Sequence, residues 1–354
     1  MKKVKIGLIG AGNIANTHLD SYKRLGSECE IVAICDINEN RLNETAAKYG
    51  IENKYLSVEE MLAAHPELDA CDVCVWNCNH AKCAIAALNA GKHVLCEKPM
   101  AYNAKEAEDM IAARDKSGKV LMIGFVMRFS DEGRIAKDFI DKGYLGEVYY
   151  ARAHYVRRHG SPGGWFANKE LSGGGPIIDL GVHVIDFTRY LAGSPKPVSV
   201  YAAAFDNIGN RPELRNGVGW MPKDAKDTDP NTVEDFGTAL IRYDNGFTTH
   251  LECSYDVNAP TRNAKELYGT KGGMDLANGV KIYTETNGFL SDVDVKTANY
   301  KDARDAFDEE MLSFIRCARG DEKCVATAED GLVVMKILDA IYESARTGHE
   351  VIIK

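Results

Sequence analysis

The sequence predicts an α/β protein: an N-terminal doubly wound parallel sheet of the Rossmann kind, then an α+β domain on a large, mostly antiparallel open sheet. Three observations carry this. Short apolar runs alternate with helix-like stretches at the start of the chain. A glycine-rich turn joins the first run to the first helix. Beyond residue 124 the pattern changes to long β-type segments with hairpin signals.

Residues 4–9 (VKIGLI) read as a buried strand ending at Gly10, and 13–25 follow with helical spacing. A second strand, 30–36 (EIVAICD), precedes a polar helix at 38–50, closed by Gly50 as its C-terminal cap. Residues 72–76 (DVCVW), 93–96 (HVLC) and 120–123 (VLMI) are further apolar runs, separated by helical segments 80–90 and 103–117. Strands apolar on both faces and alternating with helices mean a parallel sheet covered on both sides. A helix at 131–142 comes next, then β-type segments at 147–157, 197–205, 236–243, 247–256, 264–270 and 279–284. Asp244-Asn245-Gly246, between two of them, is a hairpin signal. Helical stretches at 303–318 and 328–347 end the chain. Segment 206–233 is polar, punctuated by Gly and Pro, and long for a loop, a kind that is often functional. The expected division is 1–124 and 125–354, with the last helix of the second domain able to pack back on the first.

The 354 residues, 45% hydrophobic and 27% charged, suit a globular protein of two domains. A net charge of -9 opposes nucleic acid or an anionic membrane as the main partner, since both favour a basic face. No apolar run approaches the roughly 20 residues of a membrane span. The opening MKKVKIGLIGAG has lysines before apolar residues, as a signal peptide does, but the run is short and broken by glycine. The protein is accordingly read as cytoplasmic. Of its 10 cysteines, Cys71, Cys74, Cys78 and Cys83 lie close together. Zinc is one reading. However, Cys71 and Cys74 fall in one strand, where residues three apart face opposite sides, and Cys83 falls in the next helix. Buried free thiols are the favoured reading, and no disulfide is expected.

Gly10-Ala11-Gly12-Asn13-Ile14-Ala15 fits G-x-G-x-x-A. Gly10 permits a tight turn, Gly12 lets the backbone approach a pyrophosphate, and Ala15 allows close packing of helix on strand. The helix start offers N–H groups and partial positive charge to phosphates. The motif follows a strand and opens a helix, which is its confirming context. Asp36 ends the second strand, where a carboxylate accepts from both adenosine ribose hydroxyls and repels a 2′-phosphate. No Arg immediately follows, so the cofactor read from these residues is NAD rather than NADP. The plain alternative is that Asp36 caps the next helix.

Together GAGNIA (10–15), GKHVLCEKPMA (91–101), GGGPIIDLGVHVID (173–186) and SARTGHEVII (344–353) resemble the Gfo/Idh/MocA family, the glucose–fructose oxidoreductase and inositol dehydrogenase relatives. The resemblance spans nearly the whole chain. It implies a Rossmann domain followed by a domain with a large open sheet, and catalysis by Lys98, Asp179 and His183. It also implies a homodimer or homotetramer joined through that sheet, and a cis peptide at Pro99 that places Lys98. Asn77 and His80 keep the family's N-x-x-H pattern, so both, with Glu97 and Lys98, are assigned to the cofactor. One departure stands beside them: Val75-Trp76-Asn77 replaces the usual T-P-N or V-P-N, putting Trp76 near the expected nicotinamide side.

The residue types suit the chemistry. Moving a hydride from an alcohol carbon requires removing the hydroxyl proton, and a group that titrates near neutral pH does this best. On a helix opening at Pro176, Asp179 and His183 would share one face. Lys98 lies at a strand end, where open α/β sheets bind ligands. A ligand at the domain junction is expected to meet all three. In this reading His183 is the principal proton-transfer residue, Lys98 donates to the substrate oxygen, and Asp179 orients the pair. Lys98 and His183 both stay open as the proton's acceptor. The alternative for the Asp179/His183 pair is a satisfied buried histidine. A zinc reading would have only His154 and His159 to add, and no metal is expected.

On the substrate side, Arg157, Arg158, His159, Trp165 and Phe166 gather in a Gly-rich stretch, and Arg128 follows the sixth strand. Aromatic faces suit the C–H faces of a sugar, and Arg and His suit hydroxyls or an anionic group. The plain readings are solvated arginines at a strand end and, for Arg128, an ordinary salt bridge. Tyr255 and Asp256 are weaker candidates. The function expected is an NAD-dependent oxidoreductase acting on a sugar, polyol or glycoside. The alternative is a redox-neutral NAD-dependent glycosidase or epimerase using the same residues. A non-enzymatic NAD-binding sensor is a third reading, which loss of Lys98 or His183 would have favoured; both are present.

Overall fold

The computed structural model describes residues 2–209, 211, 221–222, 225–226, 228–296 and 305–354. Much of segment 206–233, and the start of the helix expected at 303–318, lie outside the described residues. The chain forms two compact units. One takes Met1–Phe129 with Arg304–Leu332, and the other takes Ser130–Ala303 with Val333–Lys354.

The first unit begins β1 (Val4–Ile9), α1 (Asn13–Arg24), β2 (Cys29–Cys35), α2 (Glu39–Tyr49), β3 (Asn53–Tyr55) and α3 (Val58–Ala64). It continues β4 (Ala70–Val73), α4 (His80–Asn89), β5 (His93–Glu97), α5 (Ala104–Ser117) and β6 (Leu121–Gly124). The strands are parallel in the order β3-β2-β1-β4-β5-β6. The order reverses between β1 and β4, and the crevice outside strand ends at such a reversal is where these sheets bind ligands. Local chemistry sets the ends of the helices. The Asn38 side chain accepts from the Arg41 N–H to start α2, and Gly50 at φ 68 ends it. Asn103 and Gly118 do the same for α5. Leu8, Ala15, Leu19, Ile34, Leu42 and Cys74 form a core between sheet and helices.

The second unit holds α6 (Asp131–Asp141), β7 (Val148–Val156), α7 (Lys169–Ser172), a π-helical turn at Ile177–Gly181 and α8 (Val182–Leu191). Its strands continue with β8 (Pro197–Phe205), β9 (Phe236–Tyr243), β10 (Thr248–Ser254), β11 (Arg262–Gly269), β12 (Gly273–Asp275), β13 (Lys281–Thr286) and β14 (Phe289–Asp294). Helices α9 (Ala306–Arg319) and α10 (Ala328–Thr347) and the edge strand β15 (Val351–Ile352) complete the chain. α9 belongs to the first unit, and α10 runs from the first into the second. The nine-stranded sheet has the order β14-β13-β12-β11-β7-β10-β9-β8-β15, with β7 and β10 parallel and the other pairs antiparallel. One face carries Tyr201 opposite Leu240, with Phe205 further along the same strand and Tyr283 across the sheet on β13, all exposed. The alternate residues, such as Val200, Ile241 and Leu251, are buried.

Several expectations need correction. The fourth strand runs Ala70–Val73 rather than 72–76; the Cys74 N–H makes its last bond to the Ile9 carbonyl at 2.7 Å, and the chain then turns into a 3₁₀ turn at Asn77–Asn79. β3 and α3 were too short to give a periodic signal. β12, β14 and β15 are edge or near-edge strands with mixed burial. Asp179 and His183 do not share one regular α-helix: Asp179 lies in the π-helical turn and His183 in the first turn of α8. All 10 cysteines are free, and Cys71 and Cys74 are buried. Among the described residues, no helix is long and apolar enough to cross a membrane.

Candidate functional site

In the first unit the glycine loop is built as its sequence suggests. Gly10 has φ 103, and a Cβ there would sit 2.2 Å from the Cys74 carbonyl oxygen, so only glycine fits. Gly12 is the N-cap residue of α1, with no side chain capping the helix. A Cβ at Gly12 would meet nothing within 4 Å, which leaves open space at the helix start. Asn13 and Ile14 form the first turn beyond it, and Ala15 is fully buried. Asp36 is tied to the loop: one oxygen accepts from the Ala11 N–H at 2.7 Å, the other from the Asn38 N–H at 2.7 Å. The cap of α2 is Asn38, so Asp36 is not the cap residue.

Asn77 is buried at the start of a short 3₁₀ turn. His80 is buried with Nδ1 2.6 Å from the Pro99 carbonyl and Nε2 3.0 Å from the Val75 carbonyl. Burial lowers its pKa while the two carbonyls oppose that shift, and the ring, which has one N–H when neutral, sits between two chain segments. Trp76, between Val75 and Asn77, is half-buried. β5 delivers Glu97, buried, and Lys98, half-buried, and the Lys98–Pro99 bond is cis. Arg128 is buried against its own unit. Its Nη1 donates to the Val325 carbonyl at 2.6 Å and to Asp330 at 2.9 Å, and the guanidinium lies over the Phe125 ring.

The second unit gathers a different set. The Tyr255 hydroxyl donates to Asp179 Oδ2 at 2.8 Å, and both residues are buried. Burial first, and then the Asp179 carboxylate, raise the Tyr255 phenol well above its ordinary range, so it stays a donor. The Arg157 guanidinium lies over the Tyr155 ring and feels Asp179; burial opposes its charge, but Asp179 and Tyr155 outweigh that and raise its pKa. The ring of Tyr155 is 6.5 Å from that of His183. Asp179, His183 and Arg157 are thus neighbours, while Arg158 is exposed and His159 Nδ1 is 3.2 Å from Asp256. Trp165 and Phe166 stack on each other at 3.9 Å, half-buried. His154 lies away from this set, facing His250 and Glu252 on the sheet.

Sequence reasoning passed over three features. Glu234 accepts from the Gly175 and Ile177 N–H groups and from the Tyr342 hydroxyl, anchoring the turn that carries Asp179. The glycines of that turn are obligatory: a Cβ at Gly174 would overlap the Tyr342 hydroxyl, and one at Gly175 would press on the Glu234 carbonyl. Tyr155 bridges Arg157 and His183 and gave no motif signal. The third feature is a buried group around His18, whose members are far apart in sequence.

Comparison with known proteins fits both units. Residues 4–125 match the oxidoreductase family's NAD-binding Rossmann fold, and 134–275 match the GFO/IDH/MocA C-terminal domain. The D-glucoside 3-dehydrogenase of Escherichia coli (strain K12) is 35% identical over 98% of this chain and 97% of its own. The myo-inositol 2-dehydrogenase of Thermotoga maritima is 26% identical over 94% of this chain and 93% of its own. A solved levoglucosan dehydrogenase, in complex with NADH and levoglucosan, superposes with a TM-score of 0.85 at 25% identity, covering 99% of this chain and 100% of that one.

Proposed function

The chain belongs to the Gfo/Idh/MocA family of oxidoreductases, and from that premise we propose that it is an NAD-dependent dehydrogenase of sugars, glycosides or polyols. The observation that carries this reading is the full-length identity of 35% to a D-glucoside 3-dehydrogenase. The residues fit the dinucleotide, since Gly12 leaves a cradle that a Cβ would fill and Asp36 stands beside it. Gly10, Gly12, Asn13, Ile14 and Ala15 would hold the pyrophosphate, Asp36 the adenosine ribose, and Asn77 and Lys98 the nicotinamide side. His80 and Glu97 serve that site through the main chain they brace. When bound, NAD takes or gives the hydride.

The protein's own residues handle the proton and the orientation. Lys98 donates to the substrate oxygen and stabilises charge developing there. His183 moves the hydroxyl proton, an acid–base contribution of about 10²–10⁴-fold. Asp179, held by Tyr255, orients His183 and offsets its positive charge. Arg157, Trp165 and Phe166 recognise the sugar, with Arg158 and His159 at the margin; Arg128 serves as a brace. The enzyme works in the cytoplasm as a homodimer or homotetramer joined through the sheet face bearing Tyr201, Phe205, Leu240 and Tyr283. Replacing Tyr201 and Leu240 together by Asp should give a monomer by light scattering; an unchanged mass would contradict that assembly.

The test is an NAD-reduction screen over aldoses, inositols, sugar acids and glycosides, with Lys98→Ala as control. Net NADH that depends on Lys98 supports the reading. Glycoside cleavage without net NADH, or NAD binding with no turnover on any substrate, contradicts it.

A further inference from the structure

Four ionisable side chains from four elements meet inside the first unit: His18 of α1, Asp72 of β4, Glu97 of β5 and Glu310 of α9. His18, Asp72 and Glu310 are 0% exposed and Glu97 is 6% exposed. His18 Nδ1 lies 2.8 Å from Asp72 Oδ2, and the Tyr22 hydroxyl donates to the same oxygen at 3.0 Å. His18 Nε2 lies 3.0 Å from Glu97 Oε1, and Glu97 Oε2 accepts the Lys98 main-chain N–H at 3.1 Å. Ligand atoms of His18, Glu97 and Glu310 all fall within 4.8 Å of one another. The Cys74 and Cys96 thiols and the Phe307 ring are also neighbours of this group.

Charge decides what the cluster is. Three carboxylates surround one imidazole away from water, and unbalanced buried charge is strongly unfavourable. Burial opposes the charge on His18, but the groups beside it, the Asp72 side chain at 2.8 Å among them, outweigh it and raise its pKa. Burial, and then Glu97, raise the Glu310 carboxyl well above the usual range, so Glu310 is neutral. Asp72 and Glu97 stand at opposite nitrogens of the imidazole, and Glu97 continues to Lys98. Gly124 makes room for this arrangement, since a Cβ there would sit 3.0 Å from Glu97 Oε1.

We propose that this cluster is a positioning device for Lys98: His18, oriented by Asp72, fixes the Glu97 side chain, and Glu97 fixes the Lys98 main chain. The proposal rests on the reading that Lys98 acts at the substrate oxygen. It makes Glu97 and His18 positioning residues, remote from the reacting atoms. A His held by a carboxylate is also a common metal-ligand arrangement, so metal content must be measured directly.

The experiment uses the full-length protein with NAD and a methyl D-glucoside, comparing Glu97→Ala, Glu97→Gln, Gly124→Ala, Glu310→Gln and Lys98→Ala. Misplacing a reacting group by about 1 Å costs about 10²-fold. That loss is expected in kcat for Glu97→Ala and in part for Gly124→Ala, with KM for NAD little changed. Glu97→Gln should recover most of it, because its amide oxygen still accepts from the Lys98 N–H. Glu310→Gln should behave as wild type. Wild-type kcat in Glu97→Ala, with Lys98→Ala inactive, overturns the proposal and leaves the reading of Lys98 intact. Full activity in Lys98→Ala, or no turnover by the wild type, overturns both. Two checks need no variant: metal analysis, and infrared spectroscopy of the wild type for a buried protonated carboxyl. Stoichiometric zinc or manganese, or a fully ionised set of carboxyls at neutral pH, overturns the proposal.

Discussion

Replacing Gly12 by alanine should separate the nucleotide cradle from the fold. Gly12 has φ -73 and ψ -169, a conformation alanine adopts without strain, and its added Cβ meets nothing within 4 Å. Alanine is a poorer N-cap than glycine by up to about 1 kcal/mol. Restricting the unfolded chain returns about 0.4–1 kcal/mol. The melting temperature should therefore hardly move. A methyl group would nevertheless stand where the backbone must approach a pyrophosphate. Weakening one charge-assisted hydrogen bond there costs about 1.5–3 kcal/mol, or about 10- to 10²-fold in Kd. Gly10→Ala makes the contrast. With φ 103 and a Cβ 2.2 Å from the Cys74 carbonyl oxygen, it should lose at least about 2 kcal/mol of stability along with binding. Thermal melts and NAD titration calorimetry on both variants give the answer. Unchanged NAD affinity in folded Gly12→Ala would refute the assignment of the loop to the pyrophosphate.

Asp36→Ala removes the acceptor of the Ala11 N–H and the carboxylate that repels a 2′-phosphate, so NAD should bind more weakly and NADP gain relative to it. Equal Kd ratios in wild type and variant would count against the ribose role. Tyr255→Phe strips a hydrogen bond from buried Asp179 and should cost about 1.5–3 kcal/mol in urea unfolding, together with a fall in kcat. His154 supplies a pH dependence. Burial, outweighing the pull of Glu252, pushes its pKa from 6.5 down to about 4. The unfolded chain then binds the extra proton between those values, so this contribution to stability is complete above 6.5 and lost as pH falls toward 4. His154→Phe should flatten the fall in urea midpoint over that range, and an unaltered slope would remove His154 from the explanation.

The parts of the fold that could be read in the sequence were those with local causes. The glycine loop, Asp36, the capped helices and the Asp244-Asn245-Gly246 hairpin each follow from a few adjacent residues. The parts that could not be read are long-range or short. His18, Asp72, Glu97 and Glu310 become a cluster only when four elements fold together, and each alone looks like an ordinary polar residue. Arg128 carried no sign of Asp330, its partner 202 positions away. The π-helical turn under Asp179 depends on Glu234 accepting two N–H groups from a distant strand entry, which periodicity does not register. Lys98, Asp179 and His183 came from the family resemblance more than from spacing. The structure adds what surrounds each: Glu97 behind Lys98, Tyr255 on Asp179, and Tyr155 near His183.

Hydride transfer from a ring carbon to the nicotinamide is the claim on which the account turns. It is tested most directly by incubating the full-length protein with NAD and methyl D-glucosides carrying deuterium at single ring carbons, then measuring the mass of the NADH formed. The account predicts NADH that accumulates with deuterium from one ring position and disappears in Lys98→Ala. Bound NAD that never acquires deuterium from any sugar in the panel would contradict it.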